Sequence, residues 1–218
     1  MKILVLAAHP DDETLGCGGT IARLSAEGNE IKLITFTDGG SARFDDNKDD
    51  RRDTLGQVCG ILGIKEWVSH DFPDNKMDQV PILEVTKKIE KFVDENNFVP
   101  DIVFTHSPYC LNVDHRIVCQ ATLTAFRGLE RFSGIKILAY EVPSSSEWNP
   151  IKQFMPNTYF NISNYNEKKF EALSVYNSEM RQHPHPRSYD NCDRLALVAG
   201  SESGVERAER FMLLREVL

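Results

Sequence analysis

The stretch AAHPDDETLGCGG near the start of the chain places His9, Asp11, Asp12 and Glu13 within five residues of one another. So many acids beside a histidine are not typical of a protein core. One aspartate is enough to cap a helix, because its carboxylate accepts backbone N–H bonds and meets the positive end of the helix dipole. The histidine and the other aspartate can bind a cation, because imidazole and carboxylate are both zinc ligands. The pattern predicts a metal site but does not tell which aspartate is the ligand.

A second group of candidate ligands lies in THSPYCLNVDHR, which contains His106, Asp114 and His115. A catalytic zinc site normally has three protein ligands and an open position for water. In a doubly wound sheet, ligands bind at the carboxyl ends of the strands where the strand order reverses, so His9 and His115 are expected to converge there. A single histidine is more often an ordinary surface or core residue. That interpretation is kept for three others, His70, His106 and His183.

Alternating apolar runs and amphipathic segments must position these two groups. Continuous apolar runs predict strands inside a sheet at residues 2–8, 30–37 and 102–105, and shorter strand-like stretches predict further strands at residues 65–69 and 135–140. Helical spacing of apolar residues predicts helices between them, at residues 13–27, 55–62, 82–93 and 116–127. This alternation predicts an α/β fold with a Rossmann-like, doubly wound, mainly parallel sheet of about five or more strands flanked by helices.

The pattern changes after Pro143. The stretch VPSSSEWNPIKQFMPNTYF has no period, which predicts a long ordered loop on the substrate side. Apolar spacing from Phe170 to Met180 predicts a helix, whereas the final RFMLLREVL fits a helix or a strand. We therefore predict one domain over residues 1–218. Residues 1–142 would form its Rossmann-like core, and residues 143–218 its substrate-side loop and C-terminal appendage.

The composition is that of a folded protein and excludes several classes. Hydrophobic residues make up 41% and charged residues 27% of the 218 residues, close to ordinary globular usage. The net charge of −8 argues against a nucleic-acid binder and against binding to an anionic membrane surface. No apolar run reaches the roughly 18 residues of a membrane span. The first strand leads into a charged motif instead of a signal-peptide cleavage site, so we expect a cytoplasmic protein. The five cysteines are scattered without a C-x-x-C pair, which favours free thiols.

The run AHPDDE, followed later by an Asp-His pair, resembles the zinc-dependent N-deacetylases of the PIG-L/LmbE-like family. The resemblance extends over nearly the whole chain, through DFPDN, LNVDHR and AERF. It implies an LmbE-like fold in which His9, Asp12 and His115 bind one zinc ion per chain and Asp11 is the general base. Ferrous iron or another divalent cation suits the same ligand types. The family also implies a homo-oligomer.

The family pattern implies a substrate-binding arginine at Arg51, with Arg52 as a rival. The chain departs from the pattern at three positions. The acid often found three residues after that arginine is Thr54 here, and Asn112 stands where many relatives have the histidine of H-P-D-H. Cys110 stands where some relatives have a tyrosine. These departures leave the set of metal ligands intact. They leave open which residue donates a hydrogen bond to the oxyanion.

The stretch RQHPHPRS offers His183, His185 and Arg187. Its two His-Pro pairs hold the chain extended, because a residue before proline avoids the helical region. The stretch is either an ordinary stiffened surface loop or a source of catalytic groups. In the second interpretation His185 donates a proton to the departing amine and Arg187 binds a phosphate or carboxylate of the substrate.

The stretch FPDNKMD is open to two interpretations as well. Asp74, Asn75 and Asp78 either bind sugar hydroxyls, as the resemblance suggests, or form a turn and cap the next helix. Asn112 is a further candidate for substrate binding. Asp114 is expected to orient a neighbouring metal ligand, because metal-bound histidines usually donate their second ring N–H to such a group.

These residues predict hydrolysis of an amide. Water bound to zinc loses a proton at a pKa near 7, and Asp11 can accept that proton. Protonated Asp11, or His185, then donates a proton to the departing amine. The family's substrates imply a small N-acetylated saccharide or sugar conjugate of the N-acetylglucosamine type.

Two other classes remain as alternatives. A dinucleotide-dependent oxidoreductase is suggested by Gly16, Gly18 and Gly19, but the third glycine of the G-x-G-x-x-G fingerprint is replaced by Ile21. A non-catalytic carbohydrate-binding protein on the same scaffold is the second alternative. The joint presence of the metal ligands and the base argues against it.

Overall fold

A computed structural model describes residues 1–37, 39 and 52–217. Within these ranges the strands are β1 (Lys2–Ala7), β2 (Glu30–Thr37), β3 (Glu66–Phe72), β4 (Ile102–His106), β5 (Lys136–Tyr140), β6 (Thr158–Asn161) and β7 (Ala208–Arg215). The α-helices are α1 (Asp12–Ala26), α2 (Arg52–Leu62), α3 (Ile82–Glu95), α4 (Val113–Ala125), α5 (Asn166–Val175) and α6 (Tyr189–Ser203).

All seven strands form one sheet in the order β3-β2-β1-β4-β5-β7-β6. The first five strands of this order are parallel, and β7 pairs antiparallel with both β5 and β6. The chain runs outward from β1 to β3 and then returns to start β4 on the other side of β1. The strand order therefore reverses between β1 and β4, which is where α/β sheets bind their ligands. The predicted doubly wound, mainly parallel fold is confirmed.

The centre of the sheet, from β2 to β5, is buried on both faces. Ile3 and Val5 of β1 pack in a core with α1, α2 and α5, while Leu4 and Leu6 pack in a second core with α3 and α4. Successive side chains of a strand point to opposite faces, so a strand covered on both faces must be apolar throughout. This explains the continuous apolar runs. Among the described residues, no helix combines the length and the apolar character that crossing a membrane requires.

The C-terminal part differs from the prediction. The loop predicted after Pro143 was wrong at its end, because residues 158–161 form β6. The ambiguous final stretch forms most of β7, which lies between β5 and β6 in the sheet. The helix expected to run to Met180 ends at Val175, and α6 was not predicted. Residues after 142 thus extend the same sheet as well as packing on it.

Helix α1 is kinked at Cys17, whose φ of −147° is not helical. The glycines around the kink let the helix approach its neighbours closely. A Cβ atom on Gly16 would lie 2.2 Å from the Tyr140 ring, and one on Gly19 would lie 2.8 Å from Ile162. The glycines that suggested a dinucleotide fingerprint therefore serve close packing of α1.

Candidate metal centre

The candidate ligands lie at the carboxyl ends of β1 and β4, where the strand order reverses. His9 follows β1, and Asp12 begins α1. His115 lies in the first turn of α4, which begins after Asn112 because the side-chain oxygen of Asn112 accepts the N–H groups of Asp114 and His115. Asn112, a predicted substrate contact, therefore also caps the helix that carries a candidate ligand.

His9, Asp12 and His115 converge on one point. The Asp12 Oδ2 atom lies 3.0 Å from His9 Nδ1 and 3.2 Å from His115 Nε2. His115 Nε2 is 3.3 Å from His9 Nδ1, so the three ligand atoms form a compact triangle. All three residues are at most 8% exposed. Nothing in the described part of the chain hydrogen-bonds Asp12 Oδ1, although this atom is buried. A divalent cation fits this donor set, because imidazole and carboxylate are its ordinary ligands.

The other ring nitrogen of His9 faces two further carboxylates. His9 Nε2 lies 3.1 Å from Asp74 Oδ1 and 3.1 Å from Asp114 Oδ2. Asp114 also accepts the backbone N–H groups of Asn75 and Met77, at 2.7 and 3.0 Å. These three side chains also have the spacing of a metal group. The backbone bonds of Asp114 favour a hydrogen-bonding role instead. A proton on His9 Nε2 would leave the lone pair of Nδ1 directed at Asp12 and His115.

The electrostatics of the cluster reflect an excess of carboxylates. Burial opposes ionisation of Asp12, but the nearby charges of His115 and His9 outweigh it and hold the Asp12 pKa well below its usual value. Burial likewise opposes protonation of both histidines, and Asp12 outweighs it. The pKa of His9 is well above its usual range and that of His115 is raised to about 9. The cluster thus requires positive charge, which protons or a divalent cation can supply.

His106, interpreted from the sequence as an ordinary histidine, belongs to this cluster. Its ring stacks on that of His115, with centroids 4.0 Å apart and planes 16° from parallel. His106 Nε2 accepts the N–H of Ala8 at 2.8 Å, so the ring is neutral with its proton on Nδ1. Burial and the charge of His115 keep its pKa well below the usual value. One signal could have identified it: His106 ends the strand beside β1, at the same edge as His9.

Asp11 occupies the N-cap position of α1 without capping it. Its φ is 128°, and its side chain makes no capping hydrogen bond. The Arg187 Nη1 atom donates to Asp11 Oδ2 at 2.9 Å, and the Asp11 N–H donates to Glu13 at 3.1 Å. A backbone conformation of this kind costs about 1–3 kcal/mol and persists only where the surroundings enforce it. The helix-cap interpretation therefore does not explain this aspartate.

Arg187 and His185 lie beside Asp11. Arg187 also donates to the Ser144 hydroxyl, at 2.8 Å, and lies 3.6 Å from Glu179. His185 Nδ1 accepts the backbone N–H of Arg187, and its ring lies edge-on to Trp148. Sequence reasoning named Arg187 as a substrate contact but did not foresee its bond to Asp11.

The remaining candidates lie in three different settings. Arg51 falls outside the described residues, so its role stays a prediction, and its rival Arg52 begins α2. Asn75 accepts a hydrogen bond from Asn112 and donates one to Asp74. His70 is half-buried on β3, its ring contacts Phe36 and Phe72, and burial lowers its pKa to about 4.

Comparison with known proteins gives a consistent picture. Residues 4–126 match the family described as PIG-L, GlcNAc-PI de-N-acetylase. An uncharacterized deacetylase of Escherichia coli, YaiS, is 30% identical over 81% of this chain and 90% of its own length. The diacetylchitobiose deacetylase of Thermococcus kodakarensis is 27% identical over 95% of this chain and 81% of its own. The structure of N,N'-diacetylchitobiose deacetylase from Pyrococcus horikoshii superposes with a TM-score of 0.80 at 24% identity, covering 98% of this chain and 83% of that one.

Proposed function

The chain belongs to the PIG-L family, and we propose that it is a metal-dependent hydrolase that removes the acetyl group from an N-acetylated amino sugar or sugar conjugate. The observation that carries the proposal is the buried triangle of His9, Asp12 and His115 beside Asp11. Relatives named diacetylchitobiose deacetylase and inositol acetamido-deoxyglucopyranoside deacetylase support a substrate of the N-acetylglucosamine type.

We assign zinc as the metal, held by His9, Asp12 and His115. Two imidazoles and a carboxylate suit zinc, and ferrous iron accepts the same donors. A bound zinc ion would lower the pKa of a water molecule towards roughly 7 and stabilise negative charge on the carbonyl oxygen. Asp12 Oδ1, which is buried and has no hydrogen-bond partner among the described residues, is an oxygen that such a cation would satisfy.

We assign Asp11 as the general base that accepts the proton of the attacking water. Its carboxylate is oriented by Arg187 and its backbone by Glu13. A base must be held within hydrogen-bond reach of the proton it removes, and the Arg187 contact that holds the Asp11 carboxylate supports this assignment. The same carboxyl group can then return the proton to the departing amine nitrogen.

His185 is a second candidate for the proton donor. Its Nδ1 atom accepts the Arg187 N–H, so a transferable proton would be carried on Nε2. Arg51, Asn75 and Asn112 remain the proposed contacts of the sugar. The bonds of Asp74 to His9 and of Arg187 to Asp11 favour orienting roles for these two residues over direct sugar binding.

The test is acetate release from N-acetylglucosamine, N,N'-diacetylchitobiose and an N-acetylglucosamine glycoside. The protein is assayed as loaded with zinc, after chelation, and after zinc is restored. We expect metal-dependent acetate release that is lost in His115→Ala. Sugar binding without acetate release from zinc-loaded protein would favour the non-catalytic carbohydrate-binding protein instead.

A further inference from the structure

Cys110 lies directly behind a proposed metal ligand. It is 1% exposed, in the segment between β4 and α4. Its Sγ atom is 3.1 Å from His115 Nδ1. The proposed function uses only the opposite nitrogen of that ring, so this contact has no part in the chemistry described above.

The orientation of His115 decides which atom donates in this contact. Nε2 faces Asp12 and His9 and is therefore the ligand atom. A neutral histidine that binds a metal through Nε2 carries its proton on Nδ1, so the Nδ1–H donates to the sulfur. Metal-binding histidines usually donate this N–H to a carboxylate, a carbonyl or water. Here a cysteine sulfur takes that place.

The sulfur is itself held in position from the other side. The Ser146 hydroxyl donates to Cys110 Sγ at 3.6 Å and accepts the N–H of Val142 at 3.0 Å. Arg116 donates to the Cys110 carbonyl at 2.7 Å. The chain of contacts from Val142 through Ser146 and Cys110 therefore ends on His115, and it connects the segment after β5 with the metal site.

We propose that Cys110 is a positioning residue for the metal: its sulfur fixes the tautomer and ring orientation of His115 and thereby sets the affinity for the divalent cation. This inference rests on the metal site of the proposed function. Partners that orient a metal-binding histidine typically contribute 10- to 100-fold to metal affinity. Sulfur is a weak acceptor, so we expect the lower end of that range.

The experiment compares the dissociation constant for Co²⁺, measured by competition with a chromophoric chelator, in the wild type and four variants. Cys110→Ala and Cys110→Val remove the acceptor, and valine does so without leaving a large cavity. Cys110→Ser keeps an acceptor. Cys59→Ala is the matched control, because Cys59 lies on α2, is 2% exposed in the core, and loses the same single sulfur atom on substitution.

We expect Cys110→Ala and Cys110→Val to bind Co²⁺ about tenfold more weakly and to shift its visible absorption bands. Cys110→Ser should bind with intermediate affinity. Cys59→Ala should lower thermal stability as much as Cys110→Ala does, with an unchanged Co²⁺ affinity and spectrum.

Two outcomes overturn the inference alone. One is a Cys110→Val affinity within twofold of Cys59→Ala. The other is a Cys110→Ser affinity no tighter than that of Cys110→Ala. If the wild type itself binds neither Co²⁺ nor zinc, the metal-dependent function fails as well, so the two failures are distinguishable.

Discussion

Two clusters of buried charge flank helix α1, one at its N-terminus and one at its kink. The first is the candidate metal centre of His9, Asp12 and His115. The second is the ion pair of Lys169, on α5, with Glu209, on β7, and both of these residues are 5% exposed. The two clusters are similarly buried, but they differ in how completely their polar atoms are bonded.

The pair at the kink is bonded throughout by the chain itself. Lys169 donates to Glu209 at 2.6 Å and to the Leu15 carbonyl at 3.0 Å. Glu209 accepts the N–H groups of Gly19 and Thr20 at 3.0 and 2.7 Å. In a regular helix the Leu15 carbonyl would accept the Gly19 N–H, so the ion pair serves both groups where α1 bends. Burial opposes the charge of Lys169, but Glu209 outweighs it and raises the Lys169 pKa.

The cluster at the N-terminus is not balanced in this way. Asp12, Asp74 and Asp114 converge on two histidines, and one buried oxygen of Asp12 has no partner among the described residues. Buried polar groups are almost always hydrogen-bonded, so such an atom requires an explanation. A buried ion pair completed by backbone groups is fully bonded by the chain, whereas an excess of buried carboxylates around histidines is what the proposed cation would balance.

The first prediction concerns the proposed base, Asp11, and leaves both clusters intact. Asp11→Asn should lower kcat by about a thousandfold, because general bases typically contribute 10²- to 10⁴-fold. Acetate release measures kcat, and elemental analysis should find the same zinc content as in the wild type. Asp190→Asn, on the exposed start of α6, is the control for the substitution itself. A kcat within tenfold of the wild type would exclude Asp11 as the base.

The second prediction concerns the ion pair of Lys169 and Glu209. Lys169→Met leaves Glu209 buried without its counter-charge, and breaking a buried pair in this way costs about 3 kcal/mol of unfolding free energy. Urea denaturation measures the loss. Zinc affinity should stay within threefold of the wild type, and the double variant Lys169→Met/Glu209→Gln should be more stable than Lys169→Met. A loss of zinc affinity with unchanged stability would reverse the roles of the two clusters.

A third prediction concerns the metal as a stabilising ligand. Free zinc at one hundred times its dissociation constant should add about 2.7 kcal/mol to the unfolding free energy, because only the folded chain has the site. Thermal unfolding with and without zinc measures this increment. His115→Ala should lose it and Lys169→Met should keep it. An equal increment in His115→Ala would place the bound zinc elsewhere on the chain.

The sequence predicted the part of the fold in which local patterns and topology agree. Strands β1, β2, β4 and β5 are buried on both faces, so each appears as a continuous apolar run, and helices of clear period lie between the strands along the chain. Strand β6 was missed because its partner in the described sheet is β7, about fifty residues further along the chain. No local pattern encodes such a pairing, and a four-residue strand beside prolines resembles a loop.

The site was predictable to a similar extent. The convergence of His9 and His115 follows from the positions of strand ends, which the sequence indicates. The contacts of Cys110 with His115 and of Arg187 with Asp11 depend on how loops fold back over the sheet. The spacing of these residues in the sequence does not reveal that loop conformation. The resemblance named Cys110 only as a departure from a family pattern, and the structure gives it a partner.

The last prediction concerns Glu13. This residue belongs to the acidic motif, yet groups of the chain hydrogen-bond its carboxylate, as they do in the Lys169–Glu209 pair. Glu13 accepts hydrogen bonds from Thr14, from Tyr176 and from the Asp11 N–H, at 2.7, 3.0 and 3.1 Å. Burial raises its pKa to about 7. Tyr176→Phe removes one of three donors and should lower the unfolding free energy by about 1 kcal/mol, the usual worth of a buried hydrogen bond. Zinc affinity should stay within twofold, and Tyr189→Phe, which loses only a 3.5 Å contact, should change neither quantity. If Tyr176→Phe instead weakened zinc binding tenfold at unchanged stability, Glu13 would belong with the metal centre, and complete hydrogen bonding would no longer separate structural from functional buried charge.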